Sequence, residues 1–195
     1  MSLSLKKVIS ILLILLIMFF VFYESQNRIL EKKLQSNEIL LLKFKDFKDG
    51  EFEKKIEFNI ELIESVLDTA MTYIGTPNEI GGTSYKSIDA SGLVHISFKK
   101  NKILKFPRIA QEMARFGKII INIRDLKRGD LVFFFDTYET ENLITSVGIY
   151  LGENKFINSS TKNGVSISEI NDPYYWKDKF FYGTRIFKKW KTIYI

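Results

Sequence analysis

The chain has 195 residues, 46% of them hydrophobic, with 17 Phe and 9 Tyr, so it can bury a sizeable core and is not a disordered chain. Its formal net charge of +6 is only a weak pull toward acidic partners. The absence of cysteine excludes disulfides, thiolate metal sites and a thiol nucleophile, and a single histidine, His95, argues against a histidine-based metal site.

At the N-terminus, Lys6 and Lys7 precede an uninterrupted apolar run from Val8 to Tyr23, which Glu24 ends. The run is shorter than the roughly 20 residues of a spanning helix, but Leu3, Leu5 and snorkelling lysines extend it. A cleaved signal peptide is the competing reading. FVFYESQNR lacks the small residues that cleavage needs. The expectation is therefore a signal anchor over residues 1–24, held in the cell membrane through residues 8–23. The leading lysines place the N-terminus in the cytoplasm and the rest on the periplasmic or extracytoplasmic side. Residues 25–58 read as a charged helical stalk and linker. Ile29, Leu30, Leu34 and residues 39–42 suggest an amphipathic helix, and Phe44 to Phe58 is too charged for a core element.

Residues 59–195 carry the pattern of a domain with a short basic tail. Asn59 is expected to cap a helix with Ile60, Ile63, Leu67, Ala70, Met71 and Ile74 on one face, ended by Gly75 and Pro77. A Gly- and Ser-rich loop leads to Asp89, which suits an N-cap because its carboxylate can accept the free N–H groups of the next helix. Ala90 then stands at the positive end of that helix, where a thiol would be activated. Pro107 opens a third helix, RIAQEMARF, closed by Gly117. Five strands follow, GDLVFFFD, TSVGIYLG, KFINSS, VSISE and FYGTRIFK, with turns at 152–155 and 163–164 joining the middle three. Helices first and an antiparallel meander second make an α+β fold. No phosphate loop or metal-ligand spacing occurs, so no cofactor, metal or nucleic acid is expected.

In order, GTP (75–77), GG (81–82), D-x-SGL (89–93), FPR (106–108), GDLVFF, VGIYLG, KFIN and a closing YW…GTRIF resemble the NlpC-type (NlpC/p-sixty) papain-like cell-wall peptidases over roughly residues 60–187. The resemblance implies a helix N-terminus presenting a cysteine to a strand-borne histidine, with a third polar residue on the next strand. It also implies cleavage of peptidoglycan stem peptides. Here Ala90 stands at the nucleophile position, Ser146 at that of the base and Asn158 at the third. Asn78 and Ile80 replace aromatics frequent near the substrate, and with Asp89 and Ser91 they are the candidate groove residues.

Rescue by other groups is weakly supported. His95 follows Ala90 by five residues, so at 100° per residue it points about 140° away around the helix. An engineered Cys-to-Ala form would explain Ala90, but an engineer needs only one change, and Ser146 makes two. The expectation is a membrane-anchored relative without catalysis, acting as a binding or scaffold subunit with envelope protein partners. The alternatives are an active peptidase in altered form and a stem-peptide binder. In the tail KKWKTIYI, Lys188, Lys189 and Lys191 beside Trp190 could meet anionic lipid, although a solvated tail is the simpler reading.

Overall fold

The computed structural model describes residues 3–35, 37–51 and 53–189. The chain forms two compact units, residues 1–44 and 45–195.

In the first unit α1 runs unbroken over Leu3–Leu34. Every residue from Lys7 to Phe22 is exposed, and the helix contains a stretch of mean hydropathy 2.5 with none of it buried. An apolar helix of this length fits a single-pass anchor. It continues past Glu24 because no glycine or proline interrupts the stretch before Leu34. A second helix, α2, covers Glu38–Lys48, and the Asn37 side chain accepts from the Leu40 N–H at 3.2 Å at its start.

The larger unit is α+β, as the residue pattern predicts. A six-stranded antiparallel sheet has the order β2-β7-β3-β4-β5-β6, built from Lys118–Ile120, Phe180–Arg185, Leu131–Phe135, Ile144–Gly152, Lys155–Ser160 and Gly164–Glu169. The β4–β5 turn places Glu153 and Asn154 at φ 52° and 60°, the paired left-handed conformation of a tight hairpin. All five residues of β3, Leu-Val-Phe-Phe-Phe, are buried, so both faces of the sheet are covered. On one face Phe134, Phe156, Phe180 and Trp176 form an aromatic cluster. On the other, Phe133 meets Tyr182, whose hydroxyl donates to the Ala114 carbonyl at 2.8 Å. The helices α3 (Leu62–Met71) and α4 (Ala90–Lys100) pack together, and α4 lies on β4 and β5.

Several local expectations differ from what is observed. Asn59 does not cap α3; it lies in a short strand β1 (Phe58–Asn59) that pairs in parallel with β8 (Phe187–Lys188). Its side chain is held by Glu61 instead. The third helix shrinks to α5, Ala110–Met113, because Arg108 turns away to Asp89 and Ile109 stays extended. The stretch expected as linker packs. Phe47 is 1% exposed, the Arg115 guanidinium lies 4.3 Å from its ring, and Lys54 bridges to Arg115 and Gly117 through backbone hydrogen bonds. The tail beyond Lys189 lies outside the described residues.

Candidate functional site

Asp89 fixes the start of α4. Its backbone is extended (φ −86°, ψ 172°) and its carboxylate accepts the Gly92 N–H, so the helix begins at Ala90. The same carboxylate accepts the Gly81 N–H at 2.6 Å, which ties the Gly-rich loop to the helix end. Arg108 grips both carboxylate oxygens, at 2.9 and 2.8 Å, and donates further to Ser91 Oγ at 2.8 Å and the Gly82 carbonyl at 3.1 Å. Burial opposes the charged carboxylate, but the Arg108 hydrogen bond and then the Gly92 and Gly81 N–H groups outweigh it. The pKa of Asp89 therefore lies below the ordinary value.

This corner opens onto a cleft of about 470 Å³. Asn78, Ile80, Asp89, Ala90 and Ser91 all line it. Ile80 is 79% exposed, whereas Asn78 is fixed by donating to Ser159 Oγ at 2.9 Å, itself bonded to the Ile88 carbonyl at 2.7 Å. Ile144, Thr145, Thr137, Tyr138 and Tyr175 complete much of the opposite wall. Ser146 and Asn158 are buried and are not among the lining residues. The register explains the wall. Phe134 pairs with Ser146 and Phe135 with Ile144, so Thr145 is the extra residue of a bulge. Its hydroxyl accepts from the Thr137 N–H at 2.9 Å and the Thr137 hydroxyl at 2.8 Å.

Asn158 is 0% exposed, and neither its amide nitrogen nor its oxygen meets a hydrogen-bonding partner among the described residues. Such a group costs about 1–3 kcal/mol. His95 is half-buried on α4 and does not line the cleft. Desolvation, then the charges of Arg108 and Lys99, lower its pKa against a backbone hydrogen bond at Pro107.

Chemically, the cleft holds a methyl group where the helix N-terminus is most activating. Ser91, the next residue in the chain, is a cleft-lining hydroxyl. Its oxygen accepts from Arg108 and its proton points at Asp89, 3.1 Å away. An ionised carboxylate of depressed pKa is a weak base, so this pair is poorly suited to nucleophilic attack. No group of His, Asp and Glu among the described residues could hold a metal ion. Sequence reasoning passed over Arg108, although FPR carries it, because its partner lies 19 residues away. The lining residues at 137–145 and 175 carry no local signal, since only the sheet register brings them to the cleft.

Comparison with known proteins matches the geometry. The NlpC/P60 family pattern matches residues 75–185. The chain is 33% identical over 139 residues to the murein DD-endopeptidase MepS/murein LD-carboxypeptidase of Escherichia coli K12, covering 71% of this chain and 70% of that protein. It is 40% identical over 114 residues to a probable endopeptidase of Haemophilus influenzae, covering 58% and 68%. A crystal structure of an NLP/P60-family protein similar to lipoprotein, from Staphylococcus aureus Mu50, superposes with a TM-score of 0.59 at 30% identity. That match covers 68% of this chain and 44% of the other, so this chain spans less than half of it. With the motifs, the sheet and the helix-capped cleft in agreement, the chain belongs to the NlpC/P60 family.

Proposed function

We propose that this protein is a membrane-anchored member of the peptidoglycan endopeptidase family that binds or scaffolds in the cell envelope and does not cut. The observation that carries the reading is Ala90: the helix N-terminus that would present a nucleophile presents a methyl group in a chain with no cysteine. Ser146 at the position of the base supports it, because a serine hydroxyl does not titrate near neutral pH and cannot shuttle a proton as imidazole does. Asn158 supports it further. Its unpartnered, buried amide is what remains when a residue that orients an imidazole loses the imidazole. The cleft itself is intact and well braced, so the capacity that survives is recognition. Peptidoglycan stem peptides are the ligand class this reading favours, and envelope proteins are the partners it favours for the remaining surface. The anchor is α1, with the larger unit on the extracytoplasmic side.

Titration of the full chain in detergent with purified muropeptides tests the reading, followed by NMR of methyl-labelled alanine and isoleucine. Weak binding that shifts Ala90, Ile80 and Ile144 and leaves the muropeptide intact is expected. Shifts confined to residues remote from the cleft would remove stem-peptide recognition. New peptide fragments would overturn the whole reading.

A further inference from the structure

The end of α4 opposite the cleft carries a second surface. Ala90 opens the helix and lines the cleft; its eleven residues rise about 16 Å before the turn at Asn101 to Lys105. There Leu104 is 70% exposed over a shallow groove floored by Phe58, Leu62 and Ile103. Ile60, 43% exposed, lies beside it, where its N–H donates to the Lys188 carbonyl of β8. Lys102 and Lys105 line the groove and Lys189 follows β8, all three exposed.

The charge here is lopsided. Among the described residues here, Glu57 is taken by Lys188 at 3.1 Å, and Glu61, hydrogen-bonded to the neutral Asn59 at 3.0 Å, keeps its single negative charge against the other lysines. Lys102, Lys105 and Lys189 make no salt bridge among the described residues. Lys99 and Lys100 add charge but also complement the C-terminal end of the α4 dipole, so they are set aside. An exposed leucine flanked in the groove by Lys102 and Lys105 matches the boundary layer of an anionic bilayer, where cations meet headgroups and an apolar tip reaches the acyl region. A water-soluble polyanion would use the lysines and leave Leu104 wet.

We propose that this patch rests on an anionic phospholipid surface. The patch and the cleft share no lining residue, so lipid contact leaves the cleft open. The proposal rests on the reading of α1 as a membrane anchor, and the test separates the two.

Because the chain has no cysteine, Leu104→Cys accepts a single polarity-sensitive fluorophore. The labelled full chain is reconstituted into vesicles of phosphatidylcholine alone or with one-third phosphatidylglycerol. Flotation with both vesicle types reports the anchor. The patch predicts a blue-shifted emission, quenched by spin-labelled lipid, in the anionic vesicles only. High salt should reverse it, and the pair Lys102→Glu and Lys105→Glu should abolish it while flotation persists. Flotation with identical, wet emission in both vesicles would overturn the patch and leave the anchor standing. A dry label in both vesicles and in the charge-reversed variant would mean protein covers the groove, and would also overturn it. The same shift produced by soluble polyphosphate would reassign the site to a polymer. Failure to float would overturn the anchor reading and this proposal together.

Discussion

Asp89 caps α4 and holds Arg108, and both tasks need its ionised form. Its folded pKa lies below the ordinary value of about 3.9, so it contributes stability present above that value and lost as pH falls through the lower, folded one. Asp130 behaves oppositely. Burial raises its pKa against the Arg185 and Lys127 hydrogen bonds, so its contribution is full below about 3.9 and fades as pH rises through the folded value. Thermal midpoints measured from about pH 5 to pH 2 should therefore fall less steeply in Asp89→Asn than in the parent, and more steeply in Asp130→Asn. A steeper acid limb for Asp89→Asn would contradict the assignment. At Ala90 the expectation concerns a thiol: Ala90→Cys creates the only cysteine in the chain, at a cleft-lining position. The helix N-terminus lowers its pKa somewhat from the free value of about 8.5, and no imidazolium lowers it further. Arg108 is already engaged by Asp89, so alkylation rates against pH should give a midpoint above about 7; a midpoint near 4 would show that Arg108 acts on position 90 as an unscreened cation. The cap was legible in the sequence because Asp before an apolar helical period is a local signal. The Arg108 grip and the burial of Asn158 were not, since both arise from contacts made across the fold.

The elements were legible where period and turn chemistry agreed. The β4–β5 hairpin shows alternating apolar residues around a Gly-Glu-Asn turn, and it forms as read. The elements without a local signal depend on pairing between distant segments. β1 and β8 are two residues each and exist only through each other, and β2 has no pattern of its own before it meets β7. Phe47 looked like one aromatic in a charged run, but a guanidinium 68 residues away covers it. The bulge at Thr145, which shapes the cleft wall, needs two strands to define it. The ion pairs at this scale are unequal. Arg185 holds Asp130, whose side chain is 3% exposed, with contacts at 2.9 and 2.7 Å. Arg185→Met would leave that carboxylate buried alone, a loss of about 3 kcal/mol, at the lower end for such pairs because the guanidinium is 25% exposed. Arg128→Met breaks a pair whose sides are 44% and 64% exposed, and should lose under about 1 kcal/mol. Denaturant midpoints of the two variants check the ranking, and equal losses would refute it.

The molecule as a whole combines an apolar helix fit for an anchor with a domain of the NlpC/P60 family. Signal sequences resemble anchors at this length, so the mature N-terminus decides. The intact mass of the native, membrane-extracted protein should include residues 1–24, and a mature N-terminus between Tyr23 and Asn27 would show a cleaved leader instead. The family was legible because eight short motifs fall in order, each set by a fold constraint such as the Asp89 cap or the buried β3. The departures at Ala90 and Ser146 were legible in two letters, but what the cleft does depends on ligands that no motif names. The central claim is that this cleft does not hydrolyse. Loss of a nucleophile with its base typically lowers turnover on the order of 10⁶-fold. The direct measurement is chromatographic and mass-spectrometric turnover of purified muropeptides by the full chain, by Ala90→Cys, and by Ala90→Cys with Ser146→His. The account predicts no product from the parent, at most traces from the single variant, and recovery only in the double variant. Robust cleavage by the parent would contradict it outright.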